Sequence, residues 1–173
     1  MRALVLCVVL SVPAAAAGQE IDPRIFAAAA VGAMAIAADD AAHASLTWPV
    51  SHRRRADWLS SGVVAGAIAL PCLEARTRAC VRASAVRIGI TVGIAESAKY
   101  FIPRERPDRS DRKSFFSEHT ALACVGGLAS KREALGTALC AAAAYLRVAA
   151  EKHWLTDVAV GAGVGLAVSR VAR

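Results

Sequence analysis

Residues 134–150 read ALGTALCAAAAYLRVAA, a run in which Arg147 is the only charged side chain. Alanine has the highest intrinsic helix propensity, so this stretch predicts a helix. Similar apolar segments recur between polar or helix-breaking connections. We interpret six of them as helices: Ile25–Ala38, Leu59–Leu73, Ala83–Ala98, Thr120–Ala129, Ala134–Ala150 and Trp154–Val171. The sequence therefore predicts an all-α, antiparallel bundle of about six helices.

The composition agrees with a single helical domain. Of the 173 residues, 56% are apolar and only 5% aromatic, and the net charge is +7. So high an apolar fraction excludes a disordered or collagen-like chain, and the length suits one domain. The apolar surface must be buried in a core or in lipid, and the excess of cations suits either a lipid surface or a phosphate ligand.

The first 18 residues, MRALVLCVVLSVPAAAAG, have the features of a secretory signal peptide: one Arg, a short apolar run and small residues at a cleavage position. An uncleaved anchor is the alternative. Residues 19–173 then form one domain. We expect a bacterial protein of the inner membrane with a periplasm-facing site, or a soluble periplasmic protein, and we favour membrane association although most segments are short for a span.

Four cysteines remain after the signal segment, in two pairs. Cys72 and Cys80 flank one connection, and Cys124 and Cys140 flank another. Either pair could form a disulfide in an oxidising compartment, but we interpret all four as buried free thiols. Their spacing does not suit a zinc site, and we predict no metal.

The order of helices predicts which connections meet. In an antiparallel bundle alternate connections fall at the same end. The polar stretch Pro103–Ser117 and the region of Lys152 and His153 are separated by two helices, so we expect them at one end. The turn Ser130–Glu133 belongs at the other.

Three polar clusters fall at that predicted shared end. They read KYFIPRERP over residues 99–107, FSEHT over 116–120 and RVAAEKHWLTD over 147–157. In order and spacing they resemble the three motifs of the type 2 phosphatidic acid phosphatase superfamily, which includes bacterial class A acid phosphatases and vanadium haloperoxidases. The first family motif is a Lys and an Arg-Pro pair with six residues between them. The second is Ser-Gly-His. The third is an Arg, a His and an Asp, with five residues between the first two and three between the last two. The resemblance covers residues 99–157, about a third of the chain.

Phosphate chemistry needs several fixed cations, because charge spreads over the oxygens of the transferred group. Lys99, Arg106 and Arg147 supply three. We expect the Ser117 hydroxyl and the backbone amides beginning at Glu118 to add hydrogen bonds, because helix N-termini carry unpaired N–H groups.

His153 and Asp157 are four residues apart, which predicts one helical face with the carboxylate accepting from the imidazole. The other ring nitrogen would then be a nucleophile. The resemblance implies that His153 attacks phosphorus, forming a phosphohistidine, and that His119 protonates the leaving oxygen and later deprotonates water. It also implies that no metal or other cofactor is needed.

The second motif departs from the family pattern. Phe116 replaces Pro and Glu118 replaces Gly, and Leu146 stands where Ser is typical before Arg147. If Glu118 points inward, its carboxylate should weaken phosphate affinity or change the substrate; if it points outward, the effect should be small. We interpret the other cations nearby as a solvated rim: Arg104, Arg109, Arg112, Lys113 and Lys152.

These expectations combine into a metal-independent phosphatase. The expected partner is a phosphorylated lipid or isoprenoid, or a small phosphate ester, and not a nucleic acid. Alternatives are a soluble acid phosphatase of broad specificity, a catalytically weakened anion-binding membrane protein, and vanadate-dependent halide oxidation.

Overall fold

The structure is a computed structural model that describes residues 38–171. A helical segment over 38–46 is followed by five longer helices. They are α1 (Val50–Ala75), α2 (Arg78–Phe101), α3 (Glu118–Ala129), α4 (Glu133–Ala149) and α5 (Leu155–Val168). The predicted all-α bundle is confirmed. The signal peptide and residues 25–37 of the first predicted helix lie outside the described residues.

Helices α1 and α2 begin much earlier than predicted, whereas α3 and α4 begin only one or two residues earlier. Helix α1 begins at Val50 rather than Leu59, directly after Pro49. Helix α2 begins at Arg78 rather than Ala83, and the Thr77 hydroxyl caps it by accepting the Cys80 N–H at 3.3 Å. The polar residues that we assigned to connections instead form exposed helical turns, because a helix needs apolar side chains only on its buried face. The longer α1 brings its first turns to the same end as the three motifs.

Helix α3 lies at the centre and packs against each of the other four longer helices. Small residues make this possible. A Cβ added at Gly165 of α5 would lie 2.5 Å from the Ala121 carbonyl oxygen of α3, and one at Gly161 would lie 2.5 Å from that of Ser117. The backbones of α3 and α5 therefore touch, which fixes the first turn of α3 against the start of α5.

The two ends of the bundle are arranged as the alternation of connections predicted. At one end, Glu74 near the end of α1 accepts hydrogen bonds from Ser130 Oγ at 2.8 Å and Lys131 N at 2.9 Å. At the other end, the Trp48 N–H donates to the Ala149 carbonyl at 3.0 Å. The start of α1 thus lies beside the end of α4 and the third motif.

Both cysteine pairs are disulfides, so the free-thiol interpretation was wrong. Cys72–Cys80 joins α1 to α2, and Cys124–Cys140 joins α3 to α4. The antiparallel pairing of these helices brings each pair within bonding distance, with Cα atoms 5.4 Å and 4.4 Å apart. The second bridge fastens the central helix to the helix that carries Arg147.

Helix α1 is, among residues 38–171, the one helix long and apolar enough by length and composition to cross a membrane. Within its most apolar window of 18 residues, 28% of the residues are buried in the bundle. Most of that window therefore lies on the surface of the described chain.

Candidate active site

The three motifs meet at one end of the bundle. The connection between α2 and α3 is hydrogen-bonded to the turn before α5, through Asp108 N to Glu151 O at 3.1 Å and Arg106 Nη1 to Lys152 O at 3.1 Å. The Ser117 N–H, just before α3, donates to the Asp157 carbonyl at 3.0 Å. The predicted convergence of these residues is therefore present.

His153 is held in one tautomer by a backbone carbonyl. Its Nδ1 lies 2.7 Å from the Ser114 carbonyl oxygen, and its side chain is 3% exposed. A carbonyl oxygen only accepts hydrogen bonds, so Nδ1 carries the proton and Nε2 presents its lone pair. Burial, reinforced by the charges of Arg147 and Arg106, lowers the pKa of His153 well below its ordinary value. The imidazole is neutral at physiological pH.

Asp157 is not the direct partner of that imidazole. Its Oδ2 lies 3.9 Å from His153 Nδ1 and accepts instead from the Ser114 hydroxyl and from the Trp154 N–H, the latter at 3.0 Å. The prediction of a shared helical face was wrong because His153 precedes α5, whereas Asp157 lies in its first turn. Asp157 therefore acts on His153 through Ser114, whose carbonyl holds the ring and whose hydroxyl binds the carboxylate.

Arg104, whose side chain is 33% exposed, binds the buried Asp157 rather than standing in a solvated rim. Its Nη1 donates to Asp157 Oδ1 at 2.7 Å and its Nη2 to Asp39 Oδ2 at 2.7 Å. Asp39 also accepts the Thr156 N–H at 2.8 Å. Burial raises the pKa of Asp157 to about 6, and Arg104 opposes that rise. The arginine thus favours the ionised carboxylate behind His153.

Lys152 also departs from the rim interpretation. Its Nζ lies 2.6 Å from Asp108 Oδ2, in an ion pair that ties the turn before α5 to the connection between α2 and α3. The Lys152 carbonyl meanwhile accepts from Arg106. Its contacts therefore fasten the two polar segments together.

Arg147 is buried and has a donor without a partner. The residue is 4% exposed. Its Nη1 donates to Asp57 and, at 3.3 Å, to the Ser60 hydroxyl. Its buried Nε–H has no acceptor within the described chain. Leaving such a charged donor unmatched is costly, so the position suits an anionic ligand. Sequence reasoning missed Asp57 because that residue was assigned to a connection before Leu59.

The other two candidate cations are paired with carboxylates. Lys99 Nζ lies 2.6 Å from Glu118 Oε2 and 2.7 Å from Glu96 Oε1. Although burial opposes it, these two partners raise the pKa of Lys99 above its ordinary value. Arg106 Nε donates to Asp111 at 2.7 Å. Glu118 therefore points toward Lys99, into the cluster of cations.

His119 lies in the first turn of α3, with its Nε2 3.5 Å from the Ser61 hydroxyl of α1. Burial, with the nearby Arg147, lowers its pKa to about 4.

The Ser117 hydroxyl, which we expected to bind phosphate, caps a helix instead. Its side chain is fully buried, and its Oγ caps α3 by accepting from Thr120 N at 3.4 Å and Thr120 Oγ1 at 2.9 Å. The first-turn N–H groups of Glu118 and His119 remain as donors that a helix does not itself satisfy.

The donor chemistry of the site is cationic. Across residues 38–171, no three His, Cys, Asp or Glu side chains are grouped so that they could hold a metal ion. The chain matches no protein-family model, no curated protein and no solved structure.

Proposed function

We propose that this protein is a phosphatase that hydrolyses phosphate esters through a phosphohistidine at His153. The observation that carries the proposal is the pairing of two groups. His153 presents an unprotonated Nε2, because Nδ1 binds the Ser114 carbonyl, and Arg147 holds an unmatched buried Nε–H close enough to lower the pKa of that imidazole. A nucleophile beside an unmatched cationic donor suits attack on phosphorus.

In the first step, the Nε2 lone pair forms a bond to phosphorus as the ester P–O bond breaks. The electron pair of that bond goes to the leaving oxygen, which takes a proton from His119. Arg147, Arg106 and the N–H groups at the start of α3 neutralise the charge on the phosphoryl oxygens. Positive charge develops on His153, and Asp157 stabilises it through Ser114.

In the second step, His119 accepts a proton from water, and the water oxygen attacks phosphorus. The P–N bond breaks, its electron pair returns to Nε2, and inorganic phosphate leaves. The enzyme is then back in its starting protonation state, because the proton that His119 took from water replaces the one that it gave to the leaving oxygen.

The pH dependence follows from the two groups whose pKa values are displaced. Catalysis needs protonated His119, with a pKa of about 4, and ionised Asp157, with a pKa of about 6. We therefore expect kcat/KM to be greatest at about pH 5 and to fall about tenfold per unit above pH 6 or below pH 4. In His119→Asn, assayed with an ester whose charge is constant over this pH range, the residual activity should lose the fall above pH 6; a fall that persists would contradict the role of His119.

A lipid or isoprenoid ester is the substrate class that we propose, with a small soluble ester as the alternative. The support is the exposed apolar surface of α2, where Val86, Ile90 and Ile94 are 48%, 36% and 42% exposed, and of α1, where Leu59 and Leu73 are 45% and 69% exposed. Such bands suit contact with hydrocarbon. Recovery of all the protein in a detergent-free soluble extract would contradict the lipid version and leave the soluble one.

The direct test is hydrolysis of a generic phosphate ester in EDTA by the purified protein and by His153→Ala. We expect activity in the parent and a loss of at least about a thousandfold in the variant, because the nucleophile is gone. His52→Ala is the matched control, since His52 is exposed on α1. Radiolabelled phosphate from the ester should remain on the parent after alkaline quenching but not after acid. Full activity in His153→Ala would refute the mechanism.

A second candidate is an anion-binding protein without hydrolytic activity. The ion pair between Glu118 and Lys99 favours it, because it occupies one of the three cations. Binding of inorganic phosphate without turnover of any lipid or soluble ester would support this interpretation over the phosphatase.

A further inference from the structure

The four carboxylates around the phosphate-binding cations differ in their access to water. Side chains of Glu96, Asp57 and Asp111 are 59%, 42% and 43% exposed, so water screens their charges. Glu118 is 25% exposed and binds Lys99, which is itself 13% exposed. Glu118 is therefore the least screened of these carboxylates.

The position of Glu118 in α3 places its charge where a phosphoryl group would bind. It is the first residue of the helix, next to His119, and the N–H groups of this turn are among the proposed phosphate donors. An anion at a helix N-terminus is stabilised by the same partial charge that attracts phosphate. Glu118 thus competes with the ligand both for Lys99 and for the end of α3.

The charges facing Glu118 from the neighbouring elements do not cancel this effect. Lys99 and Glu96 face it from α2, and the Glu96 carboxylate takes up part of the lysine's charge. Arg106 lies on the connection before α3, where Asp111 is its partner. Each of these cations already faces a carboxylate, as Arg147 faces Asp57. A ligand with two negative charges would therefore meet a site with little net positive charge.

We propose that Glu118 is a specificity-determining residue that biases this site toward phosphoryl groups carrying a single negative charge. A phosphodiester or the protonated form of a monoester has that charge. Coulomb energy is linear in the ligand's charge, so repulsion by Glu118 penalises a doubly charged group twice as much as a singly charged one. The proposal rests on the proposed function for its location but concerns binding alone.

The test compares two probes at pH 8 by calorimetric or NMR titration: inorganic phosphate, which is mostly doubly charged, and dimethyl phosphate, which carries one charge at any pH. In Glu118→Gln we expect about a tenfold gain in affinity for inorganic phosphate, the lower part of the range for removal of a nearby like charge. Dimethyl phosphate should gain only about threefold, because its charge is half as large.

Glu96→Gln is the matched control, because Glu96 binds the same Lys99 nitrogen but is more exposed. Its gain for inorganic phosphate should be less than about threefold. In Lys99→Met, which removes the cation that Glu118 binds, inorganic phosphate should lose more affinity than dimethyl phosphate. Circular dichroism checks that each variant keeps its helices.

Equal gains for both probes in Glu118→Gln, or no gain for inorganic phosphate, would overturn the proposal. Failure of the proposed function has a different signature. If the binding ratios change as expected but His153→Ala keeps full activity, the phosphohistidine mechanism fails and the charge selection stands. If neither probe binds the parent or any variant, the charge selection fails, and the hydrolysis assay decides separately on the proposed function.

Discussion

Replacement of Arg104 by Met should shift the pH dependence of catalysis. The arginine donates to Asp157 Oδ1 at 2.7 Å, and Asp157 is fully buried. Without Arg104, the burial that already raises the pKa of Asp157 to about 6 would be opposed only by hydrogen bonds from Ser114 and Trp154. The pKa should therefore rise further.

The magnitude follows from the loss of one opposite charge next to a buried carboxyl group, which is worth roughly one to three pKa units. At pH 7 a carboxyl group with a pKa of about 6 is about nine-tenths ionised, and one at about 7 to 9 is roughly one half to one hundredth ionised. Because the proposed mechanism needs ionised Asp157 to stabilise the charge that develops on His153, kcat/KM at pH 7 should fall about twofold to a hundredfold.

The assay is kcat/KM from pH 4 to 9 for the parent, Arg104→Met and the control Arg112→Met, whose side chain is exposed. The fall in rate that begins near pH 6 in the parent should begin at least about one pH unit higher in Arg104→Met, because it starts where Asp157 becomes fully ionised. The difference in rate between the two proteins should therefore shrink as the pH is raised. A loss of rate that is the same at every pH would refute the argument, since it would mean that Arg104 contributes only to folding.

Two further predictions concern stability, measured by urea unfolding. Replacing Cys124 and Cys140 together by Ala should lower the free energy of unfolding by about 3 kcal/mol, because their disulfide closes a loop of 16 residues. An unchanged urea midpoint would contradict the presence of this disulfide. Gly165→Ala should lower the free energy of unfolding by about 1–3 kcal/mol, because the new Cβ would lie 2.5 Å from a carbonyl oxygen of α3. Gly89→Ala should raise the free energy of unfolding by about 0.5–1 kcal/mol, because no atom lies within 4 Å of the new Cβ. Equal effects of the two glycine substitutions would argue against close packing of α3 and α5.

Much of the architecture was predictable because helix formation is local. Alanine-rich segments between polar turns indicated the helices, and the alternation of connections indicated that the three motifs share one end. The helix starts were less predictable. Polar residues such as those before Leu59 are compatible with a connection or with an exposed helical turn, and only packing against the rest of the chain distinguishes the two.

The candidate site was also predictable only in part. Residue types and spacing, with the family resemblance that they carry, indicated Lys99, Arg106, His119, Arg147 and His153. The partners of these residues were not predictable, since they come from distant parts of the chain: Asp57 for Arg147 and the Ser114 carbonyl for His153.

The sequence by itself determined a helical bundle and the set of polar groups at one of its ends, because helix propensity and the order of short connections are properties of the chain alone. Only the tertiary structure decided how those groups are paired. Arg104 pairs with Asp157 instead of forming part of a solvated rim, and Glu118 turns toward Lys99. The physical reason is that burial and the neighbouring charges set the protonation and the binding strength of each group, and both depend on which helices pack together.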